Sequence, residues 1–270
     1  MHTEIFAFLL CYMHFLFPRI FASETVDACF GFFSGNSKEL EKVLKHYEHD
    51  SLKLEAAKFL IRNMPHCYSY QQGGEMDSVK RVRTCYSPFG QIDQTYARRW
   101  GHYTYRNLLK IYDAHIITAE YLIDNIDRAF DNWQKRPWNR SLSFEDFCEY
   151  LLPYRIGDEP LEEWRELYEK KYGYLLDSIY KGSDVVEAAN LVSKHLQEPV
   201  FIYCEDFELP HIGPRYLFSH RYGSCVDAAD IVTYAFRAVG IPCMEDTDAR
   251  GGHVWNVVRD RQRAMYLFGI

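Results

Sequence analysis

The stretch Gly223-Ser224-Cys225-Val226-Asp227-Ala228-Ala229-Asp230-Ile231-Val232-Thr233-Tyr234-Ala235-Phe236-Arg237-Ala238-Val239-Gly240-Ile241-Pro242, followed after ten residues by His253-Val254-Trp255-Asn256-Val257-Val258, decides the fold. The first block predicts an amphipathic helix opening at Cys225, with Ala229, Val232, Ala235, Phe236 and Val239 on its apolar side. Gly240 supplies a left-handed C-cap, and Pro242 prevents the helix from continuing. The second block alternates like a strand, with His253, Trp255 and Val257 on one face and Val254, Asn256 and Val258 on the other. Asp260-Arg261-Gln262 then reads as a polar turn, and Ala264 to Phe268 as a return strand.

Working outward, Val200 to Tyr203 reads as a strand and Gly213-Pro214 as a turn. Everything before Pro199 is mainly helical in pattern. Ser37 caps a helix carrying Leu40, Val43, Leu44 and Tyr47, and a second runs from Leu52 to Asn63 until Pro65. Gln71 to Gly90 is a long polar loop, and Tyr105 to Asp131 a helix-like block. Ser143 with Asp146 has capping-box spacing, Pro160 suits a first helical turn, and Ser183 caps a helix ending near Gln197. The expected fold class is therefore α+β: a mainly helical N-terminal region at 30–198, then a small α+β region at 199–270.

A hydrophobic content of 47%, with 16% aromatic residues, excludes a disordered chain. The net charge of −7, with no basic patch interleaved with aromatics, argues against nucleic acid as a partner. Ile5 to Phe17 is an apolar run too short to span a bilayer as a helix. It reads as the core of a signal peptide over residues 1–23, cleaved after Ala22 or Ser23, although Met1-His2-Thr3-Glu4 lacks the usual positive charge. Export to the periplasm, cell surface or medium is the expectation, with association to the cell envelope. The eight cysteines show no CxxC and no regular framework, and Cys67 with Cys85 is one pair among several that export would allow.

The candidate chemistry rests on Cys225 and His253. A thiol in the first turn of a helix meets unpaired backbone N–H groups, which favour thiolate and can receive an oxyanion. The helix and the connection after it can return His253 to that end, where an imidazole would accept the thiol proton and later return one to a leaving amine. Trp255 can shelter the pair from water, and Tyr222 can donate to an oxyanion from beside the cysteine. Taken singly, a cysteine at a helix start is usually a small half-buried side chain, and a histidine in an apolar strand a hydrogen-bonded core residue. Asp227 and Asp230 read as dipole complement and surface, and Glu245, Asp246 and Asp248 as a solvated acidic loop. No metal and no cofactor are expected, since neither Cys204 with His211 nor Cys243 with His253 has paired zinc-ligand spacing.

Gly223-Ser224-Cys225, Arg237-Ala238-Val239-Gly240-Ile241-Pro242 and Gly252-His253-Val254-Trp255-Asn256, in that order, resemble the transglutaminase-like (transglutaminase core) superfamily. Leu52-Lys53-Leu54-Glu55-Ala56-Ala57-Lys58-Phe59-Leu60 and Phe144 to Arg155 are similar to the helical leader of exported bacterial members. The resemblance implies a papain-like core, Cys225 as nucleophile, His253 as general base and acid, and acyl transfer or hydrolysis of peptide or protein amides through a thioester. It also implies an aspartate on the strand after the histidine strand. Met265 to Ile270 holds no acid, so the core reads as partial and truncated at its C-terminus. Two readings stay open: an amide hydrolase or acyltransferase, or an inactive or truncated fold serving as a binding module.

Overall fold

The computed structural model describes residues 35–83, 105–203, 209–248, 252–260, 262 and 265–268. The expected leader, Cys85 and Cys204 lie outside them. The first helices are α1 (Ser37–His46), α2 (Ser51–Asn63) and α3 (Glu75–Arg83), with β1 (Tyr68–Tyr70) between the last two. Next come β2 (Lys110–Tyr112), α4 (Asp113–Ile116), α5 (Ala119–Lys135), α6 (Phe144–Tyr150), α7 (Arg165–Tyr174) and α8 (Val185–Leu196). The last part holds β3 (Ile202–Tyr203), α9 (Pro214–Ser219), β4 (Tyr222–Gly223), α10 (Cys225–Ala238), β5 (Cys243–Thr247), β6 (Val254–Arg259) and β7 (Met265–Phe268). The class is mixed α+β. No helix among the described residues is long and apolar enough to cross a membrane.

Local capping sets several helix starts, and the one at Ser143 is where the sequence places it. The Asp50 side chain accepts from the Lys53 amide, Thr118 from Tyr121, and Ser143 from Asp146. Other expectations give way to non-local pairing. The block from Tyr105 to Asp131 is not one helix: Lys110–Tyr112 pairs antiparallel with Tyr68–Tyr70, and the long helix starts only after Thr118. The loop expected at Gln71–Gly90 contains α3. Pro160 opens no helix, because α7 begins at Arg165, and the α8 cap is Asp184 rather than Ser183. Asn36, not Ser37, is the N-cap of α1.

Two hydrophobic clusters hold the chain together. One gathers α1, α2, α5 and α6 around Leu40, Ile61, Phe130 and Phe147. The other gathers α7, α8, α9 and α10 with β5 and β6, around Tyr168, Val192, Leu217, Phe236 and Val258. The helical region anticipated at 30–198 therefore does not pack as one body. Trp164 to Leu196 shares its core with the Cys225 helix, and packing changes partners between Tyr154 and Trp164.

Helix α10 is the axis of the second cluster, packing on α7, α8, α9, β5 and β6. It is buried on nearly every side, Asp227, Asp230, Thr233, Tyr234 and Arg237 included. The last four recur at i, i+3, i+4 and i+7 and form an interior polar seam, although Asp230 reads as a surface residue from the sequence. Beyond the helix, β5, β6 and β7 form a three-stranded antiparallel sheet. Its register sets Cys243 opposite Val258, Glu245 opposite Asn256, and Val258 opposite Tyr266.

Candidate functional site

Helix α10 is fixed at both ends by side chains. At its start the Ser224 amide donates to Asp227 Oδ2 at 2.7 Å, and the Ser224 hydroxyl lies 3.1 Å from the same oxygen. The folded-back Asp227 carboxylate fills the space beside the Gly223 Cα, where any Cβ would overlap it. At its end, C-terminal carbonyls that have no partner within the helix are met by donors from elsewhere. Arg165 donates to the Arg237 carbonyl at 3.3 Å and Arg136 to Val239 at 2.8 Å. Trp138 and Asn139 both donate to Gly240, each at 2.9 Å. Gly240 takes φ +81°, as its expected left-handed role requires. The Arg-Ala-Val-Gly-Ile-Pro block is thus a docking end for α10, and Cys225 stands at the opposite end.

His253 immediately precedes β6. Its backbone carbonyl accepts from the Asp248 amide at 3.1 Å and the Thr247 hydroxyl at 2.9 Å, closing the β5–β6 connection. Its exposed ring lies 5.9 Å from the Trp255 ring. One cleft of about 560 Å³ is lined by Cys225, Ala228, Ala229, His253, Val254, Trp255 and Asn256, together with Gln197, Val200, Phe201 and Tyr203. The structure therefore brings Cys225, His253 and Trp255 to one surface. Tyr222 is not among the lining residues; its backbone pairs with Ile202 in the short parallel β3–β4 ladder.

Within the cleft wall, Asn256 is buried and its amide donates to the Ala229 carbonyl at 2.9 Å and the Thr233 hydroxyl at 2.8 Å. This ties the strand that follows His253 to the helix that starts at Cys225. The Trp255 indole N–H and the Asn256 Oδ1 are buried without a hydrogen-bond partner. No hydrogen bond joins the Cys225 thiol to the His253 ring, and no carboxylate among the described residues bonds that ring. Cys225 is partly exposed, whereas Cys67, Cys148 and Cys243 are buried free thiols. Burial pushes each of those three up to about 12.

The second grouping was not anticipated in the sequence. His211, Asp230 and Glu245 bring their ligand-type atoms within 4.8 Å of one another. His211 Nδ1 lies 2.8 and 2.9 Å from the two Asp230 oxygens, and the Thr233 hydroxyl lies 3.3 Å from Glu245 Oε1. Burial opposes charge on His211, but Asp230, with Glu245 and Glu159 beyond it, outweighs burial and holds the imidazole well above its ordinary value. Burial raises Glu245 well above the usual carboxylate range, and Asp230 adds to this.

Two expectations are corrected here. Asp227 and Asp230 are not surface groups, since one closes the helix cap and the other is fully buried against His211. Glu245 is not in a solvated loop but on β5, facing the helix seam. The signal for both was weak. Asp230, Thr233 and Arg237 stand on one side of a helix whose other side is already apolar, and only partners from distant segments make that side interior. Comparison with family models, with curated proteins and with solved structures finds no match to this chain.

Proposed function

We propose that the chain is a transglutaminase-like cysteine-dependent amide hydrolase or acyltransferase built on a papain-like core, acting on peptide or protein amides. The observation that carries this reading is the meeting of Cys225, at the first position of α10, and His253, at the start of β6, in one cleft. In the reaction the Cys225 sulfur bonds to the acyl carbon while His253 takes the thiol proton. The carbonyl oxygen, now an oxyanion, is received by first-turn amides of α10 that have no helical partner. The C–N bond then breaks, His253 gives its proton to the leaving amine, and a thioester remains on Cys225. Water, giving up a proton to His253, releases the acid and restores the thiol. Hydrolysis is favoured over crosslinking because nothing in the cleft marks a site for an amine acceptor.

The cleft lining also carries Val200, Phe201 and Tyr203, with Val200 and Tyr203 well exposed. Such a surface suits the apolar side chains of a peptide. A second reading, a binding module that keeps the fold without turnover, is favoured by one observation: no carboxylate orients the His253 ring among the described residues. Incubation with an activated peptide ester separates the two. The enzyme reading predicts an acyl adduct on Cys225 by peptide mass mapping, and turnover lost in Cys225→Ala and reduced about 100-fold or more in His253→Ala. Peptide binding with no adduct and no turnover would establish the binding module instead.

A further inference from the structure

We propose that His211, Asp230 and Glu245 form a binding site for one divalent transition-metal ion of the zinc or manganese kind. The three come from separate parts of the chain: the loop before α9, the middle of α10, and β5. None of them lines the Cys225 cleft, so the site stands apart from the proposed catalytic pair.

The donor set is one imidazole nitrogen and two carboxylates, which suits zinc, manganese or ferrous iron better than calcium or magnesium. Ligands bonded at about 2.1 Å at tetrahedral angles lie about 3.4 Å apart, so ligand atoms within 4.8 Å of one another need only a small inward shift of side chains to share an ion. His211 is held for this role. Its backbone N–H donates to Asp158 Oδ1 at 2.9 Å, and its Nε2 edge rests on the bare Cα of Gly157, where a Cβ would overlap the ring. That leaves Nδ1 turned toward Asp230.

A second, independent observation points to a missing ligand. Tyr234 lies one turn after Asp230 on α10, and its fully buried hydroxyl has no hydrogen-bond partner. Burial, followed by the charges of Glu159, Asp230 and Glu245, holds this phenol well above its ordinary value. Leaving a buried hydroxyl unpaired is costly, and a water on the ion would satisfy it. Charge agrees as well, since a dication would balance the two carboxylates of Asp230 and Glu245. His211 and Glu245 are only partly buried, which gives the ion a way in. The Thr233 hydroxyl, within reach of both Glu245 Oε1 and the Asn256 amide, links the site to the cleft wall.

The test is equilibrium dialysis of the full chain, stripped with a chelator, against zinc and manganese separately, with bound metal measured by mass spectrometry. The expected result is one equivalent of at least one ion per chain, retained in Cys225→Ala and His253→Ala and lost in Glu245→Gln. Tyr234→Phe removes only an unpartnered hydroxyl, so the ion-free protein should stay folded while its affinity for the ion falls about tenfold. Three outcomes overturn the proposal: no stoichiometric ion, binding unchanged in both Glu245→Gln and Tyr234→Phe, or binding lost with Cys225 or His253. None of these bears on acyl-adduct formation at Cys225, so the two proposals fail independently.

Discussion

Gly223 has no side chain because Asp227 occupies the space a Cβ would take, and Asp227 must be there to close the start of the helix that presents Cys225. The glycine before the cysteine is thus a packing requirement set by a residue four positions on. Gly223→Ala should push the Asp227 carboxylate off the Ser224 amide and lower stability by about 1–2 kcal/mol, the usual cost of losing a cap. Urea unfolding reads this directly; an unchanged midpoint would mean that the cap tolerates a methyl group. Residue-scale features of this kind were legible in part. The starts at Ser143 and Cys225 and the stop at Gly240 are written in local chemistry. Asp230 was not legible, because its partner His211 lies nineteen residues earlier in the chain.

At the scale of elements, α10 shows why amphipathic patterning misleads for a central helix. Its apolar side packs as expected, but Asp230, Thr233, Tyr234 and Arg237 are also covered. Most of this seam is satisfied by groups brought from other elements. His211 meets Asp230, Glu245 and Asn256 meet Thr233, and Arg237 donates to the Cys243 and Arg155 carbonyls at 3.0 and 3.1 Å. Strand β2 failed to show for a similar reason, since its pairing with β1 bridges some forty residues and overrides a helix-like pattern. The far end of α10 gives the sharper test. At φ +81° a Cβ on Gly240 would be strained and would also lie 2.8 Å from the Asn132 carbonyl. Gly240→Ala should therefore destabilise by at least about 1 kcal/mol, the cost of a left-handed L-residue, where an unstrained Gly→Ala change would instead stabilise, as measured by urea unfolding. A cost below that would show that α10 is not held at this end.

Across the whole molecule, buried arginines join the two hydrophobic cores. Arg155 pairs with Asp113 and with Glu159, and its carbonyl accepts from Arg237 of α10. Arg165 donates to the Leu151, Leu152 and Pro153 carbonyls after α6 as well as to Arg237. Removing one partner of such a buried pair leaves an uncompensated charge and costs about 3–5 kcal/mol. Asp113→Ala should shift unfolding to lower urea by that amount while keeping a single transition, followed by far-UV circular dichroism and tryptophan fluorescence together. Two separated transitions would mean that the cores fold without this link. The division at residue 198, expected from the change to a strand-like pattern after Pro199, missed this architecture, since α7 and α8 look like the preceding helices yet pack on α10.

Whether Cys225 and His253 act as a pair in their shared cleft is read by alkylation with iodoacetamide near neutral pH, resolved by peptide mapping. Cys67, Cys148 and Cys243 are buried and pushed up to about 12, so they should stay unlabelled in the folded protein. Cys225 should label faster than an ordinary exposed thiol, and His253→Ala should slow it about tenfold or more. Labelling of Cys225 at the rate of a free thiol, unchanged in His253→Ala, would contradict the pairing.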